Sequence, residues 1–124
     1  MEAILVFITA GSEAEAGAVA DALLDARLAA CVNRIPAVKS DYWWKGERDK
    51  AEEVMLLAKT RRELWPRVLE TIRAAHSYEV FEAIAVPILE GNPDYLRWIE
   101  ESTRQDDPGT PDLADAQTEE SVSP

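Results

Sequence analysis

The chain has 124 residues, 47% of them hydrophobic, and its 24 acidic and 13 basic side chains give a net charge of −11. This length and apolar content suit one globular domain with a real core and exclude two. The excess of acid argues against nucleic-acid binding, which needs clustered lysine and arginine. No apolar run approaches the roughly 20 residues of a membrane span and the single cysteine excludes an internal disulfide, so we expect a cytoplasmic protein.

The negative charge is concentrated near the C-terminal end. Residues 105–124 hold six acidic side chains, three prolines and no basic side chain; subtracting six from 24 leaves 18 acids against 13 bases before them. Such a segment contains too little apolar surface to offset its ordering entropy. We predict a folded domain over residues 1–104 and an acidic disordered tail over 105–124.

The first two elements are a short strand and a helix. The stretch AILVFIT (3–9) is typical of a buried strand, and Ala10-Gly11 ends it. The following SEAE fits a capping box, in which Ser12 and Glu15 satisfy each other's backbone N–H groups. Apolar residues at helical spacing then predict a helix to about Leu28.

Two strands joined by a hairpin come next. A strand begins near AACVNRI, is interrupted by Pro36, and continues through AVKSDYWW to a connection at residues 45–49. The strand over 52–60 alternates, with Val54, Leu56 and Ala58 on one face and Glu53, Met55, Leu57 and Lys59 on the other.

A second helix, a strand and a third helix complete the chain. Thr60 and Glu63 form another potential capping box for a helix reaching Ala75, although Pro66 implies either a start near Trp65 or a distorted first turn. The strand 83–88 follows, and Asn92 and Pro93 open a helix over 91–102. The order β-α-β-β-α-β plus a helix predicts an α+β, ferredoxin-like antiparallel sheet.

The far face of this sheet suggests a partner. Met55, Leu57 and part of Tyr42-Trp43-Trp44 give it more apolar surface than one chain leaves in water. Two helices cover only one face of a sheet. We therefore expect a homo-oligomer, with the three aromatics packed at a subunit interface.

Several polar residues have a structural and a functional interpretation. His76, the sole histidine, follows a helix whose last carbonyls it can cap, or it belongs to a site. Cys31 is either a small buried hydrophobe or a nucleophile or ligand, and Lys59 is either a solvated strand end or an anion contact. The residues alone predict no reaction, because phosphate-binding and nucleophile motifs are absent from the sequence.

Five segments nevertheless resemble the CutA family of divalent-cation tolerance proteins. They read RLAACVNRIP, YWWKGE, EEVMLLAKT, HSYEVFEAIAVPI and GNPDYLRWIEES, in the family's order and spacing. The resemblance as a whole extends over essentially residues 3–103. The resemblance implies a tight homotrimer with the architecture of PII signalling proteins. It also implies copper tolerance and copper binding, without catalysis or an organic cofactor.

The resemblance further implies clefts between subunits, built from residues that recur in the family. Those carried over as ligand-cleft residues are Trp44, Lys59, Tyr78, Glu82, Tyr95 and Trp98, and those carried over as metal ligands are His76 and Cys31. Ser77 and Phe81 replace the two prolines of the usual motif, and Ile8 and Ala75 replace soft-metal ligands of some members.

Three other functions have sequence features that distinguish them. A PII-like signalling protein or scaffold would use Lys59 for a small anionic ligand, or its surface for a partner protein. A small hydrolase would need Cys31 and His76 within hydrogen-bond reach, roughly 3 Å. An RNA-binding module shares the element order, but it needs aromatics on the central strands, where this chain has just Phe7, and a basic surface, which its net charge disfavours.

Overall fold

The computed structural model describes residues 1–105, so the predicted acidic tail lies outside the described residues from position 106 onwards. Four strands and three α-helices follow one another in the predicted order. They are β1 (Ala3–Ala10), α1 (Glu13–Asp25), β2 (Cys31–Trp44), β3 (Glu47–Arg61), α2 (Trp65–Ala75), β4 (Ala83–Pro87) and α3 (Pro93–Ser102). The sheet is antiparallel throughout, in the order β2-β3-β1-β4. The predicted α+β class and strand arrangement are confirmed.

The core lies between one face of the sheet and helices α1 and α2. Val54, Leu56 and Ala58 of β3 are at most 5% exposed, as the alternation predicted. They pack with Val19 and Ile72, which come from the two helices. The period-2 alternation turns the strand side chains towards the core, and the 3.6-residue period turns the helix side chains towards the same core.

The first helix ends earlier than predicted, at Asp25 and not near Leu28. Arg27 takes a left-handed φ of 56°. The backbone N–H of Arg27 then donates to the carbonyl of Leu24 at 3.0 Å, and that of Leu28 donates to Leu23 at 2.9 Å. This pair of bonds is a Schellman motif, which satisfies the last carbonyls and turns the chain into β2.

The predicted capping box at Thr60 and Glu63 is wrong. Strand β3 continues to Arg61, which pairs with Ala3 of β1, so Thr60 lies buried within the sheet. A short 3-10 turn over Arg62–Leu64 follows, and α2 begins at Trp65 with Pro66 in its first turn. Of the two alternatives, the start near Trp65 is confirmed.

Strands β2 and β3 extend beyond the sheet as a two-stranded ribbon. Pairing with β1 stops at Val54, whereas β2 and β3 remain paired out to Trp44 and Glu47. The turn is only Lys45-Gly46, shorter than the predicted 45–49, and its φ angles of 52° and 84° are those of a type I′ hairpin turn. A bulge at Pro36-Ala37 marks the predicted interruption of β2.

Helix α3 packs on the opposite face of the sheet from α1 and α2. The Arg61 side chain donates from Nε to the Thr103 hydroxyl at 2.8 Å and from Nη2 to the Thr103 carbonyl at 2.7 Å. Ile99 of α3 is fully buried yet stands outside the main core cluster. The far face is therefore partly covered within one chain, which the sequence analysis did not anticipate.

Candidate functional site

A cleft of about 550 Å³ opens between the β2–β3 ribbon and the irregular segment that joins α2 to β4. The ribbon and this segment contribute carboxylates and aromatic rings. The carboxylates are Asp41, Asp49, Glu53, Glu79 and Glu82, and the aromatic residues are Tyr42, Trp44 and Tyr78. None of the described residues that line the cleft is basic. Its volume lies within the usual range for small-ligand sites.

Glu53 and Tyr78 connect the two walls of the cleft. The Tyr78 hydroxyl donates to Oε2 of Glu53 at 3.1 Å, and Glu53 is only 7% exposed. Partial burial, followed by this hydrogen bond and the Glu53 charge, raises the pKa of Tyr78 to about 12. The phenol thus stays a hydrogen-bond donor at any physiological pH.

His76 lies behind this wall with its side chain fully buried. Its Nε2 is 2.6 Å from the carbonyl oxygen of Thr9, and its Nδ1 is 3.1 Å from the backbone N–H of Tyr78. The ring stacks on Phe81 with centroids 5.2 Å apart. Both ring nitrogens are therefore already engaged, and neither faces the cleft with a free lone pair.

Glu15 ties the same segment to helix α1. Ser12 accepts from the Glu15 N–H at 3.1 Å, as half of the predicted capping box requires. The Glu15 carboxylate does not complete the box, because it accepts from the N–H of Ser77 at 2.5 Å and from its hydroxyl at 2.9 Å. A residue assigned to a local cap instead anchors a segment distant in sequence.

A second polar cluster lies on the far face of the sheet, around Cys31. The Lys59 ammonium donates to Sγ of Cys31 at 3.9 Å and also to the side-chain carbonyl of Asn33. Partial burial and the neighbouring Cys31 raise the pKa of Tyr95, whose ring lies 5.4 Å from that of Trp98. Lys59 and Glu53 are six residues apart on one strand, roughly 20 Å, so the two clusters are separate within one chain.

The structure thus divides the residues expected to share one site. The cleft receives Trp44, Tyr78 and Glu82; the far-face cluster receives Lys59, Tyr95, Trp98 and Cys31; and His76 stands behind the cleft. No sequence pattern predicted the acidic wall formed by Asp41, Asp49, Glu53 and Glu79. The acidic residues flanking the hairpin were visible, but only its register brings them to a common cleft.

The predicted metal ligands do not meet within one chain. Cys31 pairs with Lys59 of β3, whereas Thr9, which holds His76, pairs with Met55, roughly 13 Å along the strand. Among residues 1–105, no three His, Cys, Asp or Glu side chains converge to hold a metal ion. The same separation rules out a Cys31–His76 nucleophile–base pair inside one subunit.

None of the helices in the described part of the chain is long and apolar enough to cross a membrane.

Comparison with known proteins places these features in one family. The family model described as CutA1 divalent ion tolerance protein matches residues 4–102. The divalent-cation tolerance protein CutA of Thermus thermophilus is 46% identical over 99 residues, covering 80% of this chain and 96% of that protein. Protein CutA of Mus musculus is 44% identical over 97 residues, covering 78% of this chain but only 55% of the mouse protein. The chain thus spans about half the length of the mouse relative.

Solved structures agree with the fold. A divalent cation tolerance protein from Thermus thermophilus superposes with a TM-score of 0.81 at 44% identity, covering 82% of this chain and 99% of the other. A CutA from Archaeoglobus fulgidus, described as a periplasmic divalent cation tolerance protein, gives 0.80 at 39% identity, covering 82% and 99%. The four-stranded sheet and three helices are common to this chain and its structural relatives.

Proposed function

This chain belongs to the CutA1 divalent ion tolerance protein family, and from that premise we propose that it holds divalent cations, copper among them, in the acidic cleft. The cation is cargo or a regulatory ligand, and the protein performs no covalent chemistry on it. The observation that carries the proposal is the composition of the cleft wall, with five carboxylates and no base among the described lining residues. Low-dielectric walls lined by one sign of charge concentrate counter-ions.

The donor atoms fit a divalent cation only in part. Carboxylate oxygens bind divalent ions, and copper heads the order of affinity for a given donor set. One chain gathers too few converging donors among its described residues for a closed metal centre. We therefore propose that a neighbouring subunit completes the site, which places the cleft between protomers of a homotrimer.

Exposed apolar side chains support the assembly. Trp43 on the ribbon is 70% exposed, and Ile84 on β4 is 55% exposed. Strands β2 and β4 are also the two edges of the sheet, with one side of each backbone unpaired within the sheet. Such edges and apolar patches are typical of surfaces that pair with another chain.

The charge of the cleft disfavours the alternative of a small anionic ligand. Lys59, the cation expected to receive such a ligand, is directed at Asn33 and Cys31 on the far face. An anion in the cleft would face five carboxylates. The cytoplasmic location stays a prediction, and the Archaeoglobus fulgidus relative is described as periplasmic.

Native mass spectrometry during a Cu²⁺ titration tests the proposal, because it reports subunit number and bound copper together. The test variant is the double change Asp49→Asn and Glu82→Gln, which removes two carboxylates from the cleft. The matched control is Asp21→Asn with Asp25→Asn, which removes two exposed carboxylates from α1.

We expect a trimer that takes up copper saturably, with affinity reduced about tenfold or more in the cleft variant and unchanged in the control. A monomer, or equal copper affinity in both double variants, would contradict the proposal.

A further inference from the structure

Each ring nitrogen of His76 already has a hydrogen-bond partner, whereas a metal ligand needs an accessible lone pair. The Thr9 carbonyl can only accept a hydrogen bond, so the 2.6 Å contact requires a proton on Nε2. Nδ1 lies 3.1 Å from the backbone nitrogen of Tyr78 and 3.1 Å from Oε2 of Glu15. Together these contacts place a proton on Nε2 and occupy both ring nitrogens.

Coordination by His76 would break one of these contacts. A metal binds an imidazole nitrogen through its in-plane lone pair. Nε2 carries a proton towards Thr9, and Nδ1 is occupied by the Tyr78 N–H and the Glu15 carboxylate. The side chain is fully buried, with Phe81 stacked on it and Tyr78 at a ring distance of 4.8 Å. A cation in the cleft has no direct approach to either nitrogen without displacing this packing.

The same contacts show what the imidazole does for the cleft. The segment 76–82 has neither helix nor strand, yet it contributes Tyr78, Glu79 and Glu82 to the cleft wall. His76 ties the start of that segment to β1 through Thr9, and Glu15 ties the next residue, Ser77, to α1. The Tyr78 phenol then reaches Glu53 across the cleft.

We infer that His76 is a positioning residue, which fixes the 76–82 wall of the cleft, and that it does not coordinate the cation. The inference rests on the proposed function only for its statement about coordination. The positioning role stands on contacts within the chain and can be measured with no metal present. This assignment is an alternative to the expectation that His76 is a ligand.

The first arm of the test uses the fact that His76 is the only histidine in the chain. Long-range ¹H–¹⁵N correlation spectra of the 124-residue chain then report one imidazole, free of overlap. Zn²⁺ serves as a diamagnetic probe. We expect the shifts of both ring nitrogens to stay at their metal-free values to the end of the titration. A shift of either ring nitrogen to the metal-bound range would overturn the inference.

The second arm compares two substitutions without metal. The amide of His76→Gln can donate to Thr9 and accept from Tyr78, whereas His76→Phe keeps a stacking ring but loses both bonds. The readout is ionisation of Tyr78 at pH 10.5, followed by NMR of ¹³C-labelled tyrosine with Tyr78→Phe identifying the signal. We expect Tyr78 to stay mainly protonated in wild type and His76→Gln, and to ionise by more than half in His76→Phe. Equal protonation in His76→Phe and wild type would refute the positioning role.

Zn²⁺ affinity separates the proposed cation binding in the cleft from the proposed positioning role of His76. A glutamine side chain is a poor substitute for an imidazole ligand, so loss of binding in a folded His76→Gln protein would identify His76 as a ligand and overturn the inference. We expect this variant to bind within about threefold of wild type and His76→Phe to bind about tenfold more weakly. Absence of Zn²⁺ binding to wild type would count against the proposed function, while the tyrosine measurement would still decide the role of His76.

Discussion

Gly11 and Tyr78 allow a sharp test of how the cleft is built. A methyl group added at Gly11 would meet the Tyr78 hydroxyl at 2.9 Å and its Cε1 at 3.4 Å. Ordinary contact begins at 3.4 Å, so in Gly11→Ala the hydroxyl must retreat by about half an ångström. We expect this retreat to break the 3.1 Å bond to Glu53, which is already near the limit for an O–H···O bond.

Two effects of Gly11→Ala on the free energy of unfolding oppose each other. Loss of the hydrogen bond costs at most about 1 kcal/mol, because the tyrosine is 36% exposed and solvent screens the interaction. Replacing glycine by alanine at a position without a left-handed φ stabilises the fold by about 0.4–1 kcal/mol through the unfolded state. The net change should be within about 1 kcal/mol of zero.

The ionisation of Tyr78 is the sensitive assay. We expect its pKa to fall from about 12 towards the ordinary 10.0 in Gly11→Ala. At pH 10.5 a tyrosine of ordinary pKa is roughly three-quarters ionised, against a few per cent for a pKa of about 12. Labelled-tyrosine NMR at this pH measures the difference.

Gly91→Ala is the matched control for this assay. The atoms nearest to its added methyl would be those of the Leu96 side chain, at 3.1 to 3.5 Å. If Tyr78 is as protonated in Gly11→Ala as in wild type, the predicted contact between the added methyl and the Tyr78 hydroxyl is refuted.

Four further outcomes follow from the structure. Gly46→Ala should destabilise by about 1 kcal/mol in urea unfolding, because φ is +84° and no neighbour lies within 4 Å, leaving backbone strain as the cause; an unchanged midpoint would argue against the type I′ turn. Gly17→Ala should stabilise α1 by about 0.5–1 kcal/mol, seen as a higher melting temperature, provided the exposed end of Arg34 moves aside. A lower melting temperature would mean that the Arg34 side chain does not move aside. Leu56→Ala, at a fully buried position, should cost about 2–5 kcal/mol by chemical denaturation, and a cost near zero would contradict its place in the core. Because the fold raises the pKa of Tyr78, its contribution to stability is complete below pH 10 and falls as pH rises towards 12; Tyr78→Phe should flatten this dependence in melts across that range, and an identical slope would exclude Tyr78 as its source.

Local sequence patterns predicted most of the elements because each pattern records which side faces the core. The alternation at Val54, Leu56 and Ala58 and the N-cap at Asn92, which accepts from Asp94 at 3.0 Å, both hold in the structure. Local patterns failed where a distant segment competed. Thr60 and Glu63 match a capping box, but pairing with β1 through Arg61 keeps Thr60 in the sheet.

The candidate site likewise combines residues that were predicted with an arrangement that only the fold determines. Trp44, Tyr78 and Glu82 were placed in a cleft through resemblance, and the structure brings them to one. The resemblance gave no indication that Lys59, Tyr95 and Cys31 would gather at the other end of β3. The register of a fifteen-residue strand sets that distance, and no motif of neighbouring residues encodes it.

By itself the sequence determined the element types, their order, the core face and the family, because periodicity, capping residues and matched segments are local properties. Tertiary structure alone decided the hydrogen-bond partners of His76 and Glu15. The partner of His76 Nε2 is 67 residues away at Thr9, and the partner of the Glu15 carboxylate is 62 residues away at Ser77. A side chain with free donors or acceptors can bind whatever the fold brings within 3 Å, and only the packed chain selects that partner.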